Sequence, residues 1–454
     1  MASPISSTFR GQSSRLSILT KACIDLGQQT LVQNTVDAVY EAKFPAALQQ
    51  RYLTAARNLR LPYYDWAQNA PSGQSSLPEI LIQPQVQVML ANGTQMIDNP
   101  LYSYRFKDTE PLYWFPFVIW QNTLRWPTSN SSADAQSQED KVRQYMDSFQ
   151  AQARDTLYIL LTQYNTFNNF SNEAWQRENN VQGYASIEGL HDNVHSAVGG
   201  QNWGHMSVID SCNSLFQQLT PSSNIDRAYA LWQTLHPDSF VEPAKQMYPT
   251  FSTRAGETLD SKSPLKPFHS DASGTFWTSD SARDFKTFSY TYPELLGSNN
   301  QSVNLSTLRT TINNLYGKKA TGVNLRARDV VRRSLDLGGR ATDNPPRDYL
   351  LNMRVAKNGL ADSFLIYFFL GDFSPDPAAW TTDENMIGTK AVLSMKAPGQ
   401  TEPVDITGSV PLTAVLEERV ERGELPGMEV PQVTQFLRGK LHWRVRNVSF
   451  FFFS

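Results

Sequence analysis

Two histidines four residues apart have the types and spacing best suited to chemistry. They are His191 and His195 in the stretch "SIEGLHDNVHSAVGG" (186–200), with Glu188 before them and Asp192 between them. On an α-helix, residues i and i+4 lie on one face, so both imidazoles can aim at one point. Imidazole is a good ligand for copper, zinc, iron and nickel. The H-x-x-x-H spacing alone does not separate a metal site from an ordinary pair of helical histidines.

The elements that would position these residues follow from the apolar spacing. Beyond about residue 297, apolar, aromatic and β-branched runs such as "FLIYFFLG" are typical of antiparallel strands. We therefore predict a mainly α fold, with a helical domain over 1–297 and a β-rich domain over 305–454. The predicted helices are 139–163, 186–197, 224–235, a stretch within 21–60 broken near Pro45, and one helix inserted in the second domain at 411–425, while 61–73 reads as a loop.

Composition excludes several classes of partner. The chain is 40% hydrophobic and 18% charged with a net charge of −3, so it can fold but has no basic surface for nucleic acid or anionic lipid. No apolar run approaches the roughly 20 residues that span a bilayer, and the N-terminal residues lack a signal-peptide core. We expect a soluble, cytoplasmic protein. Cys23 and Cys212 lack paired spacing and are predicted to be isolated thiols.

A longer pattern surrounds the histidine pair. The order "LHDNVHSAVGG…GHMS…LF…NIDRAYALWQTLHP" resembles the second-copper segment of fungal tyrosinases, members of the type-3 copper (polyphenol oxidase) family. "RYLTAARNLRLPYYDWA", "NPLYSYRF" and "FSYTYPEL" are similar to further landmarks of that family, and "YLLNMRVAKNGLADSFLIYFFLGDF" and "LHWRV" are similar to its C-terminal domain. The resemblance extends from about residue 30 almost to the end.

The resemblance implies a fold and an activity. Such proteins hold two coppers in a four-helix bundle, each bound by three histidines, and use O₂ to oxidise phenols through diphenols to quinones in pigment (melanin) chemistry. Their C-terminal domain shields the active site in the latent form. By resemblance, His191 and His195 are the first two ligands of the second copper and Glu188 is an acid that holds a water near the metals. Asp192 would orient or deprotonate an incoming phenol.

This sequence departs from the family pattern at the ligands. It contains six histidines in all, and none precedes His191, so the three ligands of the first copper are absent. The stretch "CNSLFQQLTPSSNIDR" (212–227) keeps Phe216 but lacks the histidine pair that supplies the third ligand of the second copper. Two protein ligands are one short of an open catalytic site. We therefore expect at most one weakly bound copper and no diphenol oxidation.

The other four histidines are predicted to be structural or superficial. They are His205, His236, His269 and His442. Tyr290 and Tyr292 are predicted to be structural anchors between the domains, as the resemblance suggests.

Two explanations account for the missing ligands. In one, coding sequence lost at the 5′ end and near 211–223 removed them from an active enzyme. In the other, the chain is a degenerate paralogue that serves as a binding or structural protein. Because the losses are confined to two short regions while "FSYTYPEL" and Glu188 remain, the first explanation is favoured.

Overall fold

The computed structural model describes most of the chain. The described residues are 31–42, 44–90, 93–106, 115–174, 183–202, 204–207, 215–246, 253–297, 301–317, 347–357, 359–360, 363–394 and 404–447, with side chains from 223 onward in the range 215–246. The predictions made for residues 1–30, which include Cys23, and for Cys212 fall outside these ranges.

Eight α-helices with defined bounds lie in the described part of the chain and are numbered in chain order. They are α1 (Ala46–Arg57), α2 (Glu139–Gln163), α3 (Phe167–Ser171), α4 (Ile187–Gly199), α5 (Leu215–Leu235), α6 (Leu305–Tyr316), α7 (Thr413–Glu421) and α8 (Val430–Lys440). Residues 31–41 are also helical, and residues 44 and 45, which directly precede α1, are not helical, as the sequence predicts around Pro45. No helix among the described residues is both long and apolar enough to cross a membrane.

Four of these helices build the central core. Helix α2 packs against α4, α5 and α6, and α5 also contacts α4 and α6. The spacing of apolar residues on α2 explains this packing, because Val142, Met146, Phe149, Ala153 and Leu157 recur every three or four residues and are buried. The predicted four-helix arrangement is therefore confirmed.

Helix α6 joins the central core rather than the second domain. Its buried residues Leu308, Ile312 and Tyr316 belong to the same apolar cluster as Trp232 on α5. The sequence division at 297–305 would assign this helix to the β-rich domain. The packing places it with the helical bundle instead.

The helical domain also contains three short antiparallel strand pairs among its described residues. Strands β1 (Gln85–Leu90) and β2 (Gly93–Asp98) pair antiparallel, with Gln85 opposite Asp98. Two smaller antiparallel pairs follow α5, namely β3 (Ala244–Lys245) with β4 (Thr258–Leu259) and β5 (Pro264–His269) with β6 (Phe276–Thr278). The described chain over 61–73 contains neither helix nor strand, as predicted.

The second domain consists of two antiparallel sheets with two helices. Its strands are β7 (Leu350–Ala356), β8 (Phe364–Leu370), β9 (Met386–Val392), β10 (Asp405–Pro411) and β11 (Leu441–Asn447). One sheet has the order β11-β8-β9 and the other pairs β10 with β7. The predicted strands are confirmed. Helix α7 occupies the predicted position at 411–425, whereas α8 was not predicted, so the domain contains two helices rather than one.

Strand β8 joins the two domains. All seven of its residues are buried. Phe364, Ile366 and Phe368 face the core of the second domain, formed with β10, α7 and α8. Leu365, Tyr367 and Phe369 instead pack with Phe117, Trp120 and Leu124 of the first domain, in an apolar cluster separate from the core of the second domain. A strand buried on both faces explains the continuous apolar run "FLIYFFL".

Candidate metal centre

Helix α4 carries the histidine pair and is fixed at both ends. The Ser186 side chain caps its start by accepting a hydrogen bond from the Gly189 backbone N–H at 3.1 Å. At its end, Gly200 has φ +69°, a left-handed conformation that favours glycine. A Cβ at Gly200 would lie 2.3 Å from the Trp126 ring. The ends of α4 therefore set its position against the 124–126 segment.

The two imidazoles converge as the sequence predicts. The Nε2 atoms of His191 and His195 lie 2.9 Å apart. His195 Nδ1 lies 2.8 Å from the backbone carbonyl of Met206. Because a carbonyl can only accept, the proton of neutral His195 is on Nδ1 and the lone pair is on Nε2, the orientation seen in histidine ligands supported by a backbone carbonyl.

Burial keeps His195 in the neutral form. Its side chain is 4% exposed, and this desolvation, with the neighbouring His191, lowers its pKa to about 3. A neutral imidazole is the form that binds a metal ion. His191 is more accessible, with 16% of its side chain exposed.

Asp192 acts on His191. Its Oδ1 lies 3.2 Å from His191 Nδ1. The pKa of Asp192 is lowered: burial opposes the shift, but the hydrogen bond with His191 and the nearby Lys357 outweigh burial. A carboxylate at this position accepts a hydrogen bond from the protonated Nδ1 of His191, which leaves the His191 Nε2 lone pair facing that of His195. Two facing lone pairs 2.9 Å apart require a proton or a cation between them. With metal–nitrogen bonds of about 2.0–2.1 Å, two ligands of one ion would be separated by about 3 Å.

Glu188 lies one turn before the pair and is buried. Its Oε2 accepts a hydrogen bond from the Glu173 backbone N–H at 3.1 Å. Burial, and then the nearby Glu173 carboxylate, raise the pKa of Glu188 to about 8. Near neutral pH this group therefore holds a proton.

The described residues do not complete a copper pair. Among them, no group of three or more His, Cys, Asp or Glu side chains is arranged to hold a metal ion. The position expected for the third ligand lies within helix α5, in the part whose side chains fall outside the description, and the sequence there is "LFQQLTPS" (215–222). His191 and His195 thus fit two ligands of a single ion, and the residues present do not fit the six-histidine pair.

The remaining histidines occupy separate environments. His205 is buried among Phe106, Phe117 and Trp120, and its Nδ1 accepts from the Leu124 N–H at 2.9 Å. Burial lowers its pKa to about 3. The structural role predicted for His205 fits these contacts.

The other three histidines belong to other elements than α4. His236 directly follows α5, and its ring lies 5.0 Å from that of Trp232. His269 ends β5, is exposed and stacks on Phe276. His442 is in β11 of the second domain.

The tyrosine pair bonds to α5. Tyr290 and Tyr292 donate from their hydroxyls to Asp226 Oδ2 at 2.6 and 2.5 Å. The pair therefore anchors the segment that closes the helical domain to α5, and the predicted role as an anchor between the two domains is not what these bonds show.

The next residue on α5 has a comparable role. Arg227 donates to Asp65 at 3.0 Å, to the Tyr316 hydroxyl at 2.7 Å and to Glu294 at 2.6 Å. These bonds join α5, α6 and the aromatic loop around Asp65. The surviving "NIDR" residues thus hold the bundle together and are not ligands.

Three charged residues near the site were not identified from the sequence. Glu173, which is fully buried, pairs with Lys390 Nζ at 2.6 Å and with Lys357 Nζ at 3.1 Å. Both lysines belong to the second domain. The available signal was Lys390 itself, a charge inside the otherwise uncharged strand "MIGTKAV".

The fold and the site together define a helical bundle that carries a pair of facing histidines and a β-rich second domain, and the comparisons identify the family of such proteins. The model of the common central domain of tyrosinase matches residues 39–235, and the model of the tyrosinase C-terminal domain matches residues 348–449. This chain belongs to the tyrosinase family, whose members are copper-dependent oxidoreductases acting on phenols with O₂.

Individual relatives agree with this assignment. A tyrosinase of Neurospora crassa is 28% identical over 550 positions, covering 97% of this chain and 79% of the relative, and one of Podospora anserina is 29% identical, covering 82% and 75%. The structure of recombinant mushroom tyrosinase is similar with a TM-score of 0.72 at 25% identity, covering 89% of this chain and 72% of that one. An apo-protyrosinase from Aspergillus oryzae, at 21% identity and a TM-score of 0.68, shows the same fold.

Proposed function

We propose that the function of this protein, as a member of its family, is the O₂-dependent oxidation of phenols and diphenols to o-quinones, as in melanin or other pigment chemistry. The observation that carries the proposal is the convergence of His191 and His195, with Nε2 atoms 2.9 Å apart and the His195 Nδ1 proton directed to the Met206 carbonyl. These two histidines would be two ligands of the second copper. Copper, if held by a complete set of ligands, would supply the electron transfer between a phenol and O₂.

The protein groups beside the histidines handle protons. Burial and the nearby Glu173 carboxylate raise the pKa of Glu188 to about 8, although the hydrogen bond from the Glu173 N–H acts in the opposite direction, so Glu188 holds a proton near neutral pH. Asp192 holds His191 Nδ1 and so directs its Nε2 toward His195. We also assign to Asp192 the role of the base that accepts the proton of an incoming phenol.

The chain as printed would bind at most one copper, weakly, and would not oxidise diphenols. Two imidazoles are one ligand short of the three that hold a catalytic ion. None of the six histidines precedes His191 to supply the first copper.

Incomplete coding sequence is the explanation we favour for the missing ligands. The alignment with the Neurospora crassa tyrosinase covers 550 positions, more than the 454 residues of this chain, so that relative has residues inside the aligned span with no counterpart here. Meanwhile the contacts of Glu188, Asp226 and Arg227 remain intact. The alternative is a catalytically dead paralogue with a binding or structural role.

Sequencing the transcript separates these two explanations. A lost segment predicts additional codons, including histidines, before His191 and within 205–230. A transcript that encodes both regions as printed would establish the dead paralogue instead.

A titration tests the half-site directly. Cu(I) should bind the purified chain with a measurable but weak affinity in competition with a chromophoric chelator, and His195→Ala should reduce that affinity at least tenfold. The matched control is His269→Ala, because His269 is exposed and lies at the end of β5. Equal affinities of the two variants would refute the assignment of His195 as a ligand.

A further inference from the structure

The surface between the two domains has the character of a protein interior. Strand β8 is buried on both faces, one against its own domain and one against the helical domain. The second of these contacts brings Leu365, Tyr367 and Phe369 against Phe117 and Trp120, all at most 3% exposed. Separation of the domains would expose this aromatic surface to water, which is unfavourable.

Strand β9 is hydrogen-bonded to two helices of the bundle. Gln152 on α2 pairs with both backbone groups of Thr389, donating at 2.8 Å and accepting at 2.9 Å. Asn193 on α4 accepts from the Ala391 N–H at 2.6 Å and donates to the Thr389 carbonyl at 3.2 Å. Amide side chains therefore satisfy backbone groups of β9 that separation would have to return to water.

A buried group of charges crosses the same surface. The Glu173 carboxylate accepts from Lys390 and Lys357, and its backbone carbonyl accepts from the Thr407 N–H at 3.0 Å and hydroxyl at 2.9 Å. The side chains of Glu173 and Lys390 are 1% and 4% exposed. Removing one partner from a buried ion pair leaves an uncompensated charge in a low-dielectric site.

The charges near α4 depend on these lysines. Glu173, Glu188 and Asp192 are three acids, and Lys357 and Lys390 both act on Asp192 in the direction that favours its ionised form. Both cations come from the second domain. The helical domain alone would retain the acids without them.

We infer that the second domain of this chain is a permanent structural layer, held to the helical domain by strand β8 and by the Glu173–Lys390–Lys357 ion group, and that cutting the connection between the domains does not release it. This inference is independent of the proposed copper chemistry.

The test cuts the folded full-length chain. A protease recognition sequence is inserted within 318–346, the protein is purified intact and cleaved, and the products are separated by gel filtration at low micromolar concentration. The two pieces should co-elute as one particle of the intact size. Recovery of either piece without the other, in the soluble or the pelleted fraction, would overturn the inference.

Lysine variants test the ion group within the cleaved protein. Lys390→Met should increase the dissociation rate of the two pieces at least tenfold, whereas Lys440→Met should not, because Lys440 is exposed at the end of α8. If Lys390→Met does not fold, Lys357→Met replaces it, since the Lys357 side chain is 15% exposed and less costly to change. Dissociation of either Lys390→Met or Lys357→Met at the rate of Lys440→Met would show that the ion group does not hold the domains.

Discussion

At the residue scale, the two histidines of α4 are held differently. His195 is buried and its Nδ1 is fixed by the Met206 carbonyl, whereas His191 is partly exposed and is fixed by Asp192. Each ring thus has one nitrogen engaged by the protein and one directed toward the other ring. In the function that we propose, this arrangement would make the pair a preformed half of a metal site.

The raised pKa of Glu188 leads us to expect that the free energy of unfolding falls as pH rises. Its pKa is about 8 in the folded protein and near 4.5 when unfolded. Between these values unfolding releases a proton, so the free energy of unfolding falls as pH rises, by up to about 1.4 kcal/mol per pH unit. Glu188→Gln should remove this slope between about pH 6.5 and 8 in urea unfolding. The exposed Glu384→Gln is the control, and equal slopes in both variants would contradict the prediction.

The lowered pKa of His205 leads us to expect that the free energy of unfolding falls at acid pH, whereas the Glu188 effect appears as pH rises. The pKa of His205 is lowered from 6.5 to about 3 by burial, so the unfolded chain binds a proton that the folded chain does not. Stability therefore falls as pH drops below about 6.5. His205→Gln should reduce the slope between about pH 4.5 and 6 by about 1 kcal/mol per pH unit. The exposed His269→Gln should leave it unchanged, and a similar reduction in that control would refute the assignment.

The sequence was sufficient to predict the site residues that belong to a single helix. Glu188, His191, Asp192 and His195 are near one another because of helical geometry, which a local pattern contains. Glu173 and Lys390 are 217 residues apart, and only the packing of the two domains brings them together. Local spacing contains no information about such a pair.

At the scale of elements, helix ends were predicted where the chain has clear signals. The predicted helix 139–163 coincides with α2, and the predicted segment 186–197 lies on α4 with Ser186 as its cap. Helix α5 begins nine residues before its predicted start, because Pro221 and the following serines have low helical propensity and give no sequence signal for this part of the helix. Helix α8 has Pro431 in its first turn, which is compatible with a helix start and easily mistaken for a break.

The cap of α4 gives a prediction for this element. Ser186→Ala removes the acceptor of the Gly189 N–H and should lower the free energy of unfolding by about 1 kcal/mol. Ser131→Ala is the control, because Ser131 is exposed and outside any helix. Chemical denaturation measures both, and an unchanged midpoint for Ser186→Ala would show that the cap does not contribute.

At the scale of the whole molecule, the family framework is intact around an incomplete site. The bundle, the tyrosine anchors on Asp226 and the two-sheet second domain all remain. Composition and apolar spacing were sufficient to predict the helical and β-rich halves. They could not place α6, because its assignment to the bundle depends on the packing of Leu308 and Ile312 against distant helices.

The measurement that tests the central claim is the number of coppers bound per chain together with O₂ uptake. The purified chain is incubated with excess copper, desalted, analysed for metal and supplied with a simple diphenol. We predict at most one copper per chain and O₂ uptake no greater than that of the His195→Ala variant. Two coppers per chain with diphenol-dependent O₂ uptake would contradict the account.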